Sequence, residues 1–148
     1  MTAALPAAPP ELEVAPSLEL LVPSSIAAAR RAAGDVRAFL AQHGLDGAEE
    51  FAWELCIAEA AKNAVQYARN KEKETPLHIE VRLHPRIVEA RVTDHTEGFD
   101  LASWPACLPP NENESGRGLF LMRIYMDKVK YVSGDGANTL VLQKARSR

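Results

Sequence analysis

One stretch of the sequence decides the fold: Glu54-Leu55-Cys56-Ile57-Ala58-Glu59-Ala60-Ala61-Lys62-Asn63-Ala64-Val65-Gln66-Tyr67-Ala68. With Trp53 just before it, its apolar residues fall on one side of a helical wheel: Trp53, Cys56, Ile57, Ala60, Ala64, Tyr67 and Ala68. Glu59 and Asn63 lie one turn apart at the edge of that stripe. Asparagine lowers helix propensity and prefers solvent or a polar partner. The pair therefore indicates either the wall of a cleft or an ordinary helix flank.

The second informative segment reads Asp94-His95-Thr96-Glu97-Gly98-Phe99-Asp100 and follows a strand pattern. An aspartate at a strand end can accept a hydrogen bond from an exocyclic amine, while the loop with Gly98 brings the backbone close to the base. Adenine suits that geometry. The alternative is a simple Asx turn, in which Asp and Gly are common.

The third segment, Ser115-Gly116-Arg117-Gly118-Leu119, is predicted to begin a helix. Glycine permits close backbone approach, and first-turn amides point at an anion, so phosphate is the natural occupant. Arg117 could reach a terminal phosphate or an acidic partner, or be a surface charge. Together, the three segments can supply a general base, a magnesium ligand, an adenine acceptor and a phosphate cradle, as phosphoryl transfer needs.

The composition limits the classes of function that the chain can have. The chain has 148 residues, 47% of them apolar, and a net charge of −3. This suits one compact domain and disfavours direct nucleic-acid binding, so a role in gene expression should run through another protein. Cys56 and Cys107 lie outside any C-x-x-C spacing, which indicates free thiols. No secretory n-region or membrane-spanning apolar run is present, so we expect a cytoplasmic protein.

The chain divides into a disordered Ala/Pro-rich tail at residues 1–16 and a domain at residues 17–148. Strand patterns are expected at 17–22, 77–83, 87–93, 129–132 and 139–143. Helices are expected from Ser24 or Ser25 to Gly44, from Asp46 onward, and at 116–126. Residues 104–115 are predicted to be a lid. The chain has neither a G-x-S-x-G elbow nor a Walker A pattern.

In this order and spacing, the three segments resemble the nucleotide-binding boxes of the histidine kinase-like ATPase superfamily, which includes gyrase, heat-shock chaperones, histidine kinases and mismatch-repair proteins. The helix at 54–68 resembles the first box of bacterial anti-sigma factor serine kinases, and the other two segments resemble the second and third. Residues 136–141 are similar to the final glycine-and-threonine strand, although Asn138 stands where glycine is usual. The resemblance runs from about Ser17 to Lys144.

The resemblance implies an α/β (α+β) two-layer sandwich, with a mixed, mostly antiparallel sheet covered on one face by helices. It implies ATP and Mg²⁺ as cofactors. The implied roles are general base for Glu59, magnesium ligand for Asn63, adenine acceptor for Asp94 and adenine support for Thr139. The implied nucleotide contacts also include Gly98, Gly116, Arg117, Gly118 and Leu119.

The activity implied by the resemblance is that of a serine/threonine protein kinase. Such a kinase phosphorylates a serine on a small antagonist (anti-anti-sigma) protein and sequesters a sigma factor, as a homodimer. The family usually carries glycine where this chain has Thr96, and a β-branched residue at positive φ costs on the order of 1 to 2 kcal/mol, about a decade in ATP affinity. A nucleotide-gated binding module without phosphotransfer is therefore the alternative. A detached histidine-kinase catalytic domain is disfavoured, since no acceptor-histidine helix precedes the sandwich.

Overall fold

The structure is a computed structural model that describes residues 15–68, 75–95, 114–134 and 136–146. Residues 1–14 of the predicted tail and 104–113 of the predicted lid lie outside these residues, and so do Thr96 and Gly98, whereas Glu114 and Ser115 at the end of the predicted lid belong to a helix. In chain order the elements are β1 (Ser17–Val22), α1 (Ile26–Gln42), α2 (Gly47–Tyr67), β2 (Leu77–Leu83), β3 (Ile87–Asp94), α3 (Glu114–Tyr125), β4 (Lys128–Gly134) and β5 (Ala137–Ala145).

The five strands form one sheet in the order β1-β2-β3-β5-β4, and every neighbouring pair is antiparallel. Successive side chains of a strand point to opposite faces, so alternate residues form the face that the helices cover. On β2 these are Leu77, Ile79, Val81 and Leu83, each at most 3% exposed. The opposite face carries charged side chains such as Glu80, Arg82 and Arg91. The expected α+β fold with a helix-covered sheet is confirmed, and the described sheet is antiparallel throughout where a mixed sheet was expected.

Local signals explain where the first two helices begin. Ser25 has extended backbone angles and accepts a hydrogen bond from Ala28 N at 3.1 Å, which satisfies one of the free amides at the start of α1. Asp46 does the same for α2, accepting from Glu49 N at 2.8 Å. Gly44, with φ of 91°, adopts the left-handed conformation that ends α1.

α2 lies at the centre of the core. Trp53, Cys56, Ile57 and Ala61 are fully buried on it, and the helix packs against α1, α3 and β3. Arg37 of α1 also ties the two longest helices together through bonds to Glu54 and Glu50, at 2.8 and 3.3 Å. The residues that face the sheet from α2 thus fix the orientation of its edge, where Glu59 and Asn63 lie.

Three elements, α3, β4 and β5, have bounds that differ from the sequence prediction. α3 begins at Glu114, two residues before the expected Gly116, so both glycines lie inside the helix. β4 and β5 are longer than expected and pair with each other around a turn at Gly136, whose φ is 77°. Hydrogen bonding between the two strands extends them to residues whose side chains do not alternate between apolar and polar in the sequence.

Candidate active site

Glu59 and Asn63 occupy one edge of α2 and differ in burial. Asn63 is 4% exposed, whereas the side chain of Glu59 is 20% exposed. A separation of four residues places both on the same helix face. The pair therefore presents a partly accessible carboxylate beside a buried carboxamide, which favours the cleft wall over the ordinary helix flank.

The backbone of α3 closes over this pair at Gly118. A Cβ atom at Gly118 would lie 2.7 Å from Glu59 Oε2, 3.4 Å from Glu59 Cβ and 3.5 Å from Asn63 Nδ2. Real Cβ atoms essentially never approach a heavy atom within 3.0 Å. The glycine thus leaves the Glu59 carboxylate its position where α3 comes close to α2, and the structure brings together three of the residues predicted from the sequence.

The oxygen of Asn63 is the unusual polar atom here. Asn63 Oδ1 is buried and accepts no hydrogen bond from any residue that the structure describes. A buried acceptor without a partner costs about 1–3 kcal/mol, so such an atom calls for an explanation. Carboxamide oxygens are suitable ligands for Mg²⁺, and Asn63 therefore fits the proposed metal.

No group of three or more His, Cys, Asp or Glu residues close enough to hold a metal occurs within the described ranges. A magnesium ion at Asn63 would accordingly take most of its ligands from phosphate oxygens and water. This is the usual coordination of Mg²⁺ in phosphoryl-transfer sites, where one or two protein ligands suffice.

Lys62 places a positive charge beside the candidate base. Its Nζ lies 3.9 Å from Glu59 Oε2, and the two side chains are 27% and 20% exposed. Ion pairs at this exposure contribute little to stability. The contact matters more because it places a cationic side chain at this edge of the site.

Asp94 is buried at the end of β3 and contacts Asn138, for which no role was predicted. It is 7% exposed, and its Oδ1 accepts a hydrogen bond from Asn138 Nδ2 at 3.1 Å. The two residues are register partners in the β3–β5 pair. Asn138 was noted in the sequence only as a departure from glycine, and that departure was the signal that could have identified it.

The structure does not bring Thr139 to Asp94. Neighbouring residues of a strand face opposite sides, so Thr139 points away from the helices when Asn138 points toward them. Its hydroxyl lies 2.9 Å from that of its register partner Thr93 on the far face. Adenine support by Thr139 stays a prediction, and the register places Asn138 directly opposite Asp94.

Four predicted nucleotide contacts remain: Gly98, Gly116, Arg117 and Leu119. Gly116 lies in the first turn of α3, and the side chain of Leu119 is 1% exposed in the hydrophobic core. Leu119 can therefore contact a ligand only through its backbone. The side chain of Arg117 and the whole of Gly98 lie outside the described part of the chain, so their roles stay predictions.

Two described side chains, Cys56 and Arg37, have a raised pKa. Burial raises the pKa of the Cys56 thiol, one turn before Glu59, to about 12. Hydrogen bonds that Arg37 donates first to Glu54, and then to Glu50, raise the pKa of Arg37 above its ordinary value. Cys56 is therefore a neutral packing residue at physiological pH, and Arg37 holds a permanent charge between α1 and α2.

Among the described residues, no helix is both long and apolar enough to cross a membrane.

A family model for the histidine kinase-like ATPase domain matches residues 22–144. The match covers most of the chain and spans all three segments around Glu59, Asp94 and Gly118. The chain therefore belongs to the histidine kinase-like ATPase domain family.

The chain is similar to several bacterial protein kinases. It is 31% identical over 90 residues to the serine-protein kinase RsbW of Bacillus velezensis, covering 55% of this chain and 56% of that protein. The RsbW of Listeria innocua is 27% identical over 95 residues, covering 59% and 60%. The serine/threonine-protein kinase BtrW of Bordetella bronchiseptica is 31% identical over 98 residues, covering 62% and 68%. The matches to the two RsbW proteins thus extend over at most 60% of their length.

Solved structures support the fold. The RsbU and RsbW domains of a Mycobacterium tuberculosis protein match with a TM-score of 0.69 at 22% identity, over 90% of this chain and 33% of that one. A chain of the SiaB-SiaC complex from Pseudomonas aeruginosa matches with a TM-score of 0.55 at 15% identity, over 86% and 89%.

Proposed function

We propose that this protein is an ATP-dependent serine/threonine kinase that acts as an anti-sigma factor in a partner-switching system. It phosphorylates a serine on a small antagonist protein and, in its nucleotide-bound form, sequesters a sigma factor. The similarity to the RsbW and BtrW kinases supports this assignment. A homodimer is part of the same proposal.

One observation carries the proposal: the backbone of Gly118 lies against the carboxylate of Glu59 and the carboxamide of Asn63. A base, a metal ligand and a glycine that admits close approach occur together where α3 meets α2. A purely structural helix contact needs none of these residue types. Their combination is what phosphoryl transfer requires.

The residues present fit Mg²⁺ and ATP. Asn63 would hold the metal through its buried Oδ1, the backbone around Gly116 and Gly118 would hold the phosphates, and Asp94 would accept a hydrogen bond from the base. When bound, this group supplies the γ-phosphoryl to be transferred and the cationic charge that neutralises it.

Glu59 performs the proton chemistry in this proposal. Its carboxylate, beside Lys62, accepts the proton of the substrate serine hydroxyl as the serine oxygen attacks. The partial exposure of Glu59 lets a protein substrate reach it, while Asn63 is buried beside it. Asn63 and the α3 backbone hold their positions throughout the step.

Phosphate transfer is the direct test. The protein is incubated with γ-labelled ATP, Mg²⁺ and each candidate antagonist protein from the same genome, and labelling of serine is measured. Glu59→Ala should lower the rate by roughly 10² to 10⁴ while ATP binding is retained. The control is Glu80→Gln, which removes a carboxylate on the sheet face away from the helices.

Each result has a clear meaning. Labelling that persists at the parental rate in Glu59→Ala overturns the role of the base. ATP binding without labelling of any antagonist supports the alternative of a nucleotide-gated binding module. Absence of ATP binding to the parental protein overturns both.

A further inference from the structure

The hydrogen bond between Asn138 and Asp94 joins two buried side chains on the helix-covered face of the sheet. Asn138 is 4% exposed and Asp94 is 7% exposed, and Asn138 Nδ2 donates to Asp94 Oδ1 at 3.1 Å. Both residues stand at strand ends, directly opposite each other in the β3–β5 register. Their positions are therefore fixed by the sheet as well as by their own contact.

An amide donor restricts what the carboxylate can do. An ionised carboxylate is an acceptor only, with about four lone-pair sites on its two oxygens, so one bond from Asn138 leaves acceptor capacity on the group. Hydrogen bonds to an ionised group are about twice as strong as neutral ones. The Asn138 amide thus holds the Asp94 side chain in one orientation, with its oxygens presented as acceptors.

We propose that Asn138 is a positioning residue for base recognition, which holds Asp94 as a fixed acceptor and thereby selects adenine over guanine. This inference rests on the proposed ATP-dependent function and assigns a determinant of its nucleotide specificity.

The selection follows from the chemistry of the two purines. Adenine carries an amino group, a donor, at the ring position where guanine carries a carbonyl oxygen, an acceptor. A fixed carboxylate pairs with the first and repels the second. A carboxyl group that could rotate or take up a proton would offer a donor as well and would discriminate less.

The test compares the affinities of MgATP and MgGTP for three variants by calorimetric titration. Asn138→Leu keeps a similar side-chain shape without the donor, and Asn138→Thr keeps a hydroxyl donor on a strand-forming residue. The control is Arg91→Gln, a change on β3 at a position that faces the other side of the sheet.

We expect Asn138→Leu to weaken ATP binding about tenfold and to reduce the ATP-to-GTP preference by a similar factor, since a decade corresponds to about 1.4 kcal/mol, the value of one such hydrogen bond. Asn138→Thr should lie between Leu and the parental protein, and Arg91→Gln should leave the preference unchanged.

A second comparison separates positioning from folding. If Asn138 acts through the carboxylate, Asn138→Leu should have no further effect on the ATP-to-GTP preference in an Asp94→Asn background. An unchanged preference in both Asn138 variants overturns this inference alone, and so does an equal effect in the two backgrounds. If the parental protein binds neither nucleotide, the proposed function falls and this inference falls with it. Should Asn138→Leu fail to fold, the Asn138→Thr variant decides the question in both backgrounds.

Discussion

Gly118 and Glu59 approach each other so closely that a single methyl group at position 118 would lie 2.7 Å from the Glu59 carboxylate oxygen. The atom it would meet is the end of a flexible side chain, so the carboxylate can swing away at small cost to the fold. The same movement takes the candidate base out of its position beside Asn63. Position 118 thus controls the geometry of Glu59 more than the stability of α3.

Gly118→Ala is expected to separate activity from stability. Alanine favours a helix interior over glycine by about 1 kcal/mol, which offsets the strain of moving Glu59, so the melting temperature should change little. Phosphate transfer should fall at least tenfold. The matched control is Gly34→Ala in α1, where a Cβ would meet only Glu54 Oε2 at 3.9 Å; it should raise the melting temperature and leave transfer intact. Equal transfer rates for the two variants would contradict the role of Gly118.

Asn63→Leu tests the buried oxygen. Leucine has a similar shape, and the oxygen it removes has no hydrogen-bond partner in the structure, so the free energy of unfolding should stay the same or rise. Mg²⁺-dependent ATP binding should fall by at least tenfold, measured by titration with and without the metal. If the variant unfolds more easily and binds MgATP normally, the oxygen serves the fold and is not a metal ligand.

Asp94→Asn tests the base contact. The carboxamide keeps the size of the side chain but replaces one acceptor oxygen with a donor, so ATP affinity should fall by about one to two decades. A nucleotide analogue that lacks the exocyclic amino group should bind the parental protein about as weakly as ATP binds the variant. ATP affinity that is unchanged by Asp94→Asn would move the base contact to another residue.

Cys56 makes stability depend on alkaline pH. The native thiol has a pKa of about 12, raised mainly by burial, whereas an unfolded thiol ionises near 8.5. Above that value the unfolded state releases a proton that the native state retains, so the free energy of unfolding should fall as pH rises, by about 1–2 kcal/mol up to pH 10. Denaturant titrations of Cys107→Ser with and without Cys56→Ala measure this contribution. Parallel pH profiles for the two proteins would show that the thiol ionises equally in both states.

The sequence predicts the elements whose burial follows a regular period. α2, β2 and β3 are recovered because their apolar residues repeat at helical or strand spacing. Glu59 and Asn63 stand out because polar residues interrupt such a stripe. The start of α3 is displaced by two residues, since glycine can lie within a helix turn when a neighbouring helix requires close approach.

The partner of Asp94 could not be predicted in this way. Choosing between Asn138 and Thr139 depends on the register of β3 against β5, and a shift of one residue exchanges the two faces. That register is set by pairing between strands that lie far apart in the chain. The spacing of apolar residues within either strand does not reveal it. The neighbouring Thr93 and Thr139 show the result, since their hydroxyls meet on the opposite face.

The strand order also has a consequence for biosynthesis. β5 follows β4 in the chain, yet it lies between β3 and β4, and β4 has no other partner strand in the described sheet. Contacts between such distant segments form late, because the intervening loop must close first. The nascent chain therefore cannot complete the pocket around Asp94 until β5 has emerged from the ribosome, so nucleotide capture has to follow the synthesis of residue 145.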